Sequence, residues 1–203
     1  MFNHDAVFHS TYRGVPIVKL PLDLWVYQEL MTRLKTVHCV VEIGTFRGGS
    51  ALALYDMMCA VNQTTENEVI TIDVVAQVQS KLVLDHKYIR RLVGNAATLE
   101  MRQRVGIECI PWLGDHILVI DDGSHECAEV FSALQLYHSL VQPDGYYIVE
   151  DTICHHGMEV GPNPGPYEAV QEFLRTNHDF VTDLACEKFG LTYNPSGYLR
   201  RTQ

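Results

Sequence analysis

Apolar and polar positions alternate with two different periods along the chain. Short runs of Val, Ile and Leu predict strands buried on both faces, because such strands have nearly continuous hydrophobic sequence. The stretches between them repeat their apolar residues at helical spacing. The predicted strands cover residues 38–44, 69–74, 88–94, 116–121 and 146–150, and the predicted helices cover 21–34, 49–61, 76–85, 96–105, 127–141 and 167–177.

The order of these elements predicts the fold class. Strands that alternate with helices form a parallel sheet with helices on both faces. The last segments, 180–189 and 197–201, have strand character with no helix between them, which predicts an antiparallel hairpin at the edge of the sheet. We therefore expect an α/β, doubly wound fold with about five parallel strands and an antiparallel C-terminal hairpin.

Composition and charge limit the class of protein. The chain has 203 residues, and 15 Lys and Arg against 25 Asp and Glu give a formal charge of -10. No stretch gathers enough basic residues to follow a phosphate backbone, so we expect no nucleic-acid partner. Residues 1–10 lack a leader pattern and no apolar run is long enough for a membrane span, which predicts a soluble, cytoplasmic protein. Six cysteines without a C-x-x-C pair predict reduced thiols.

Unusual polar residues follow several of the predicted strands. In doubly wound sheets ligands bind at the carboxyl ends of the strands, next to the point where the strand order reverses. We therefore expect the groups at these strand ends to line one site. They are Glu42 with Gly44, Asp73, Asn95, the segment from Asp121 to His125, and Glu150 with Asp151.

The first of these strand ends carries a glycine-rich turn. The sequence VEIGTFRGGS (41–50) predicts a strand, a turn and a helix N-terminus, where backbone N–H groups can bind an anion. Its G-x-x-x-G-G spacing differs from the G-x-G-x-x-G of dinucleotide-binding folds, which argues against NAD. Asp73, at the end of the next strand, is placed to accept hydrogen bonds from ribose hydroxyls. Close packing of the turn is the alternative explanation of its glycines.

Two pairs of adjacent acids lie at neighbouring strand ends, in the motifs VIDDGSH and IVEDT. Four carboxylates at one edge repel one another unless a counter-charge lies between them, and a divalent cation is the simplest one. Oxygen ligands favour Mg²⁺ over Zn²⁺. We expect Asp122, Glu150 and Asp151 to bind the metal, although helix capping or solvation explains either pair taken alone. His125, three residues after Asp122, is then the candidate general base.

Longer segments of the chain resemble a known family. The resemblance is to the cephalosporin hydroxylase family and runs from about Gly14 to Arg201, through GVPIVKLPLDLWVYQEL, VEIGTFRGGSALAL, LVIDDGSHECAEVFSALQLYHSLVQPDGYYIVEDT, GPYEAVQEFL and KFGLTYNPSGYLRR. Despite that name, its members are O-methyltransferases of natural-product biosynthesis that depend on S-adenosylmethionine (SAM) and Mg²⁺. They are similar to macrolide-sugar and rhamnosyl O-methyltransferases.

The resemblance implies a class I methyltransferase fold, of Rossmann-like type, that binds SAM and Mg²⁺ and methylates a hydroxyl of a small natural-product or sugar-like acceptor. It also implies that Asp122, Glu150 and Asp151 are metal ligands and that His125 is the general base. The expected cofactor-binding residues are Glu42, Gly44, Ser50, Asp73, Asn95 and Asp121.

We divide the chain into an N-terminal segment and helix, residues 1–35, and a methyltransferase domain, residues 36–203. The loop over 157–170 is the candidate substrate-facing segment, although a Pro- and Gly-rich connection without that role explains it equally well. The apolar face of the helix over 21–34 suggests a homo-oligomer. Two alternatives stay open. One is a metal-dependent oxidoreductase or hydroxylase, against which the missing G-x-G-x-x-G and H-x-D…H patterns argue. The other is a SAM-binding module without catalysis.

Overall fold

The structure of the protein, a computed structural model, describes residues 9–203. The expectations that concern residues 1–8, the leader pattern and the start of the 1–35 segment, lie outside the described residues. A small hairpin pairs β1 (Thr11–Tyr12) with β2 (Val15–Pro16). The main sheet has seven strands among the described residues: β3 (Val37–Ile43), β4 (Glu68–Asp73), β5 (Ile89–Val93), β6 (His116–Asp121), β7 (Tyr146–Val149), β8 (Phe180–Thr182) and β9 (Tyr198–Arg201).

The main sheet is mostly parallel, with the strand order β5-β4-β3-β6-β7-β9-β8. Strands β3 to β7 are parallel to one another, and β9 runs antiparallel between β7 and β8. The order reverses between β3 and β6, so the switch point lies where these two strands end. The predicted fold class is confirmed, with one detail added, since β9 inserts beside β7 and leaves β8 at the edge.

Helices cover both faces of the sheet. They are α1 (Pro21–Leu34), α2 (Gly49–Asn62), α3 (Lys81–Leu84), α4 (Leu99–Glu108), α5 (Cys127–Tyr137) and α6 (Pro166–Thr176). Pro21 and Pro166 stand in the first turn of their helices, where a missing backbone N–H costs little.

Two predicted elements differ from the observed ones. Of the helix predicted over 76–85, only α3 is helical, because the Ser80 hydroxyl caps a helix that starts there. The strand predicted over 180–189 ends with β8, because the Asp183 carboxylate caps a 3₁₀ turn at Leu184–Glu187. In both places a local hydrogen bond from a backbone N–H to a side-chain oxygen overrides the apolar pattern.

The hydrophobic core has two halves, one on each face of the sheet. Neighbouring residues of β3 point to opposite faces, so Val40 belongs to the half that contains Leu52 of α2, and Val41 to the half that contains Leu134 of α5 and Phe173 of α6. Each such buried side chain contributes about 1.5–3 kcal/mol relative to an exposed one. Burial on both faces explains why the central strands have nearly continuous apolar sequence.

The apolar face of α1 is used within the chain. Val26, Tyr27, Leu30 and Met31 are buried in the core, while Trp25 on the other side of the helix is 59% exposed. Because this face is buried within the chain, it does not support a homo-oligomer, which stays a prediction.

The six cysteines are free thiols, and four of them are buried. Among residues 9–203, no helix combines the length and the apolar character that crossing a bilayer requires.

Candidate cofactor and metal site

A cavity of about 800 Å³ opens at the carboxyl ends of β3 to β7. Its volume is within the range of small-molecule and cofactor sites, about 300–1,000 Å³. Nine of the ten residues that the sequence singled out line it: Gly44, Ser50, Asp73, Asn95, Asp121, Asp122, His125, Glu150 and Asp151. The tenth, Glu42, does not.

The glycine turn after β3 is held at both sides. Gly44 has a φ of +101°, and a Cβ built on it would lie 2.0 Å from the carbonyl oxygen of Asp122. The carboxylate of Asp73 accepts hydrogen bonds from the backbone N–H of Phe46 at 2.8 Å and of Val75 at 3.0 Å. Hydrogen bonds to Asp73 and the close contact with Asp122 therefore hold the turn between the ends of β4 and β6. The turn forms a preorganised wall of the cavity.

Glu42 lies behind that wall and is fully buried. One of its oxygens accepts a hydrogen bond from the Thr71 hydroxyl at 2.6 Å, and Thr71 is hydrogen-bonded to Thr45, which lines the cavity. Burial raises the pKa of Glu42. Glu42 itself does not line the cavity, and its contact with the cofactor stays a prediction.

Asp121 and Asn95 contribute to the wall in different ways. Asp121 is buried and accepts hydrogen bonds from the N–H of Gly123 at 3.3 Å and the hydroxyl of Tyr147 at 3.3 Å, and burial raises its pKa to about 7. Asn95 is exposed, and its amide donates to Glu129 of α5 at 3.4 Å. Both side chains are therefore oriented by bonds to the protein.

Asp122, His125 and Asp151 form a compact cluster. One possible ligand atom from each lies within 4.8 Å of the other two. His125 Nε2 is 3.8 Å from Asp122 Oδ1 and 3.6 Å from Asp151 Oδ2. His125 and Asp151 have φ values of +60° and +55°, a left-handed conformation in which few residues other than glycine occur. Such strain is concentrated at functional sites, and here it belongs to two members of one cluster.

A residue that the sequence did not single out, Lys19, lies beside this cluster. Its ammonium donates to Asp122 Oδ2 and to Glu150 Oε1, each at 2.6 Å, and its side chain is 2% exposed. Burial lowers the pKa of Lys19, but the charges of Asp122 and Glu150 outweigh it and raise the pKa overall. The ammonium is thus a counter-charge that the chain itself supplies.

Glu150 is held more tightly than the other acids. Its Oε1 also accepts a hydrogen bond from the buried hydroxyl of Tyr27 at 2.9 Å. Burial raises the pKa of Glu150 well above its usual value, and burial together with the charge of Asp122 raises the pKa of Asp151 to about 6. Glu150 is therefore linked to Asp122 through Lys19, but it is not one of the three residues of the cluster.

Asn194 connects the two consecutive acids after β7. Its Oδ1 accepts a hydrogen bond from the backbone N–H of Asp151 at 3.1 Å, and its Nδ2 donates to Tyr27, the donor to Glu150, at 3.0 Å. Asn194 is fully buried. One amide thus orients both acids.

The residues present fit both a divalent metal and a nucleoside cofactor. Carboxylate oxygens of Asp122 and Asp151, with those of Glu150 nearby, are the ligand type that hard divalent metals accept, and the His125 imidazole lies beside them. The pinned glycine turn and Asp73 provide a close backbone approach and a carboxylate at the switch point.

The sequence analysis did not identify three residues of the site, Lys19, Tyr27 and Asn194. Tyr27 lies in an amphipathic helix and Asn194 in a turn, where such residues are common. Lys19 gave one usable sign, since it is a lone cation in the apolar stretch GVPIVKLPL just before α1.

Comparison with known proteins gives a family match over nearly the whole chain. Residues 5–202 match a family model described as "Rhamnosyl O-methyltransferase/CmcI". The chain is 30% identical over 198 residues to a rhamnosyl O-methyltransferase of Mycobacterium bovis (strain BCG / Pasteur 1173P2), and the match covers 95% of this chain and 78% of that protein.

Two solved structures share the fold. The structure "cmcI-D160 Mg-SAM" superimposes with a TM-score of 0.71 at 22% identity and covers 97% of this chain and 78% of that one. The MycE methyltransferase from the mycinamycin biosynthetic pathway, in complex with Mg, SAH and mycinamycin VI, gives a TM-score of 0.51 at 20% identity over 73% of this chain and 39% of that one. At these identities the likeness shows the fold alone.

Proposed function

Because the chain belongs to the rhamnosyl O-methyltransferase/CmcI family, we propose that it transfers a methyl group from SAM to a hydroxyl of a small, sugar-like natural product, with Mg²⁺ as cofactor. One observation carries the proposal. A single cavity contains the glycine turn with Asp73 and, beside them, the cluster of Asp122, His125 and Asp151.

The cofactor half of the site is the glycine turn and the strand ends around it. When bound, SAM supplies a methyl group activated by its sulfonium. Gly44 lets a ligand approach the backbone, and Asp73 has oxygen lone pairs left to accept hydrogen bonds from ribose hydroxyls. Ser50, Asn95 and Asp121 line the same space.

The second half of the site, with the carboxylates and His125, removes the proton from the acceptor hydroxyl. When bound by Asp122, Asp151 and Glu150, Mg²⁺ supplies a Lewis acid that makes an acceptor hydroxyl more acidic. His125 removes the proton at Nε2, and the carboxylates of Asp122 and Asp151, 3.8 and 3.6 Å away, stabilise the imidazolium that forms.

The remaining wall of the cavity favours an acceptor with an apolar body. It is lined by Val18, Ile153, Met158, Val160 and Tyr193. Met158 and Val160 lie in the segment before α6, which supports a substrate-facing role for the loop over 157–170. The name of the rhamnosyl O-methyltransferase relative supports a sugar-like acceptor.

The direct test is methyl transfer from SAM to a panel of rhamnosides, other glycosides and phenols, with Mg²⁺ or with a chelator. We expect product only with Mg²⁺, and Asp122→Ala and His125→Ala to lower the rate by about 100-fold or more. Asp144→Ala is the matched control, because this acid is 76% exposed and pairs only with Arg200 among the described residues. Full activity of Asp122→Ala and Glu150→Ala in the presence of a chelator would exclude the metal role.

Thermal-shift measurements separate the alternatives. Stabilisation by SAM and not by NADPH or 2-oxoglutarate supports the methyltransferase, and the opposite result supports an oxidoreductase or hydroxylase. Saturable SAM binding with no turnover on any member of the panel would favour a module without catalysis.

A further inference from the structure

Lys19 has no role in the proposed methyl transfer. It lies in the segment between β2 and α1, it lines the cavity, and its side chain is almost completely buried. Buried lysines are rare in proteins unless they are paired. This one is paired with two of the three candidate metal ligands, so its charge acts where the cation is proposed to bind.

Lys19 hydrogen-bonds only one of the two oxygens of each carboxylate. Lys19 takes Oδ2 of Asp122 and Oε1 of Glu150, at 2.6 Å in both cases. The second oxygen of each, Oδ1 of Asp122 and Oε2 of Glu150, accepts no hydrogen bond from a described residue within 3.5 Å. Because one oxygen is anchored and the other is left open, Lys19 fixes how both carboxylates face the cavity.

Lys19 also changes the charge of the site. When Asp122, Glu150 and Asp151 are ionised, they and the ammonium together carry a formal charge of −2, equal and opposite to that of a divalent cation. Without the ammonium the same carboxylates carry −3, which a trivalent cation balances. At separations of a few ångströms in a buried site, one unit of charge changes cation affinity strongly.

We propose that Lys19 is a built-in part of the cation site, which anchors Asp122 and Glu150 and sets the charge of the site to the value that a divalent ion neutralises. This inference rests on the proposed function, since it requires a cation to bind among these carboxylates. Lys19 is in this sense a positioning and selectivity residue for the metal.

The test measures the affinities of the cofactor-free protein for Mn²⁺, by electron paramagnetic resonance, and for Tb³⁺, by luminescence. Wild type is compared with Lys19→Gln, Lys19→Met and the charge-conserving Lys19→Arg. Lys188→Met is the control, because Lys188 is exposed and pairs with Glu29 on the surface. The ratio of the two affinities is independent of activity and cancels a general loosening of the ligands.

We expect the preference for Tb³⁺ over Mn²⁺ to rise by about tenfold or more in Lys19→Gln and Lys19→Met, since removing a positive charge favours the trivalent ion more. It stays near the wild-type value in Lys19→Arg and Lys188→Met. An unchanged ratio in the neutral variants overturns the inference. So does a ratio that moves in Lys19→Arg as far as in Lys19→Gln, because packing and not charge would then be responsible.

Instability of the neutral variants also gives a decisive result. Tb³⁺ restores the missing positive charge, so we expect it to raise the melting temperature of Lys19→Gln more than that of wild type. A Lys19→Gln protein that stays unfolded in saturating Tb³⁺ contradicts the inference.

Failure of the proposed metal role gives a different pattern. In that case wild type binds neither ion at this site, and Asp122→Asn leaves any residual binding unchanged. Wild type that binds Mn²⁺ through Asp122, together with an unchanged ratio in the Lys19 variants, overturns the inference about Lys19 alone.

Discussion

At the scale of single residues, Gly44 joins the end of β3 to the end of β6. Its backbone has a positive φ, and a Cβ there would meet the Asp122 carbonyl oxygen at 2.0 Å. Gly14 has a similar φ of +78° but nothing within 4 Å of a built Cβ. Alanine variants of the two glycines therefore distinguish the cost of backbone strain, present at both positions, from the cost of a steric clash, present only at Gly44.

We expect Gly44→Ala to lower the free energy of unfolding by about 2 kcal/mol or more and to weaken SAM binding, because the turn must move away from Asp122. Gly14→Ala is expected to cost only about 1 kcal/mol, from backbone strain. Urea denaturation and calorimetric titration with SAM measure both effects. Equal losses in the two variants would contradict a role for the close contact with Asp122.

Two buried tyrosines offer a second matched pair. The Tyr27 hydroxyl donates to Glu150, while the Tyr198 hydroxyl donates to Asp23 at 2.9 Å. Tyr27→Phe and Tyr198→Phe each leave a buried polar group with one partner fewer, at a cost of about 1–3 kcal/mol. We expect Tyr27→Phe alone to reduce Mn²⁺ affinity. A similar reduction in Tyr198→Phe would show that lost stability, and not the bond to Glu150, is the cause.

How far single residues can be predicted depends on where their partners lie in the sequence. Asp73 ends one apolar strand and Asp122 directly follows another, so the strand pattern alone brings them to one edge. Lys19 contacts Asp122 and Glu150 across 103 and 131 residues. Nothing local in the sequence encodes such a pair, so the sequence favours a divalent cation as the simplest counter-charge for the acids.

At the scale of elements, strands were easier to predict than the ends of helices. β3, β4 and β6 are buried along nearly their whole length, so their apolar runs are nearly continuous. The errors at 76–85 and 180–189 arise where Ser80 and Asp183 cap short helical turns. A single hydrogen bond to the backbone decides such a boundary, and the apolar pattern does not contain it.

Glu168 joins helix α6 to the loop before it. Its Oε2 accepts a hydrogen bond from the Gly165 N–H at 2.7 Å, and its Oε1 lies 2.6 Å from His156 Nε2. The same loop carries Met158 and Val160 into the cavity. Glu168 is therefore an anchor for the proposed substrate-facing segment.

We expect Glu168→Ala to raise the KM for the acceptor several-fold and to leave SAM affinity unchanged, because the loop loses its connection to α6 while the glycine turn is untouched. Losing the cap costs about 1 kcal/mol of stability. Glu172→Ala is the control, since this exposed residue of the same helix pairs only with Arg175 among the described residues. If SAM affinity fell as far as acceptor affinity, a general loss of helix α6 would explain the effect.

At the scale of the whole molecule, the acids at the sheet edge couple cation binding to folding. A ligand that binds only the folded state stabilises it by about 2.7 kcal/mol at 100 times its Kd. We expect Mg²⁺ to raise the melting temperature of wild type and to have little effect on Asp122→Asn. NaCl at equal ionic strength controls for screening. Equal shifts in both proteins would place the Mg²⁺ effect outside this site.

The overall topology followed from the alternation of strands and helices, but the place of β9 did not. A parallel strand is brought into the sheet by its crossover helix, and the handedness of that crossover limits its position. β9 has no such helix, and its place depends on pairing with both β7 and β8. Contacts between distant segments determine that choice.

The insertion of β9 has a consequence for how the protein is made. β9 leaves the ribosome after β8, yet it lies between β8 and β7, so a nascent chain that has emerged as far as β8 has no partner for the edge of β7. Asn194, which orients Asp151 and Tyr27, lies in the turn that leads into β9. Asp151 and Tyr27 therefore gain Asn194 as a partner only when this late-emerging segment has docked.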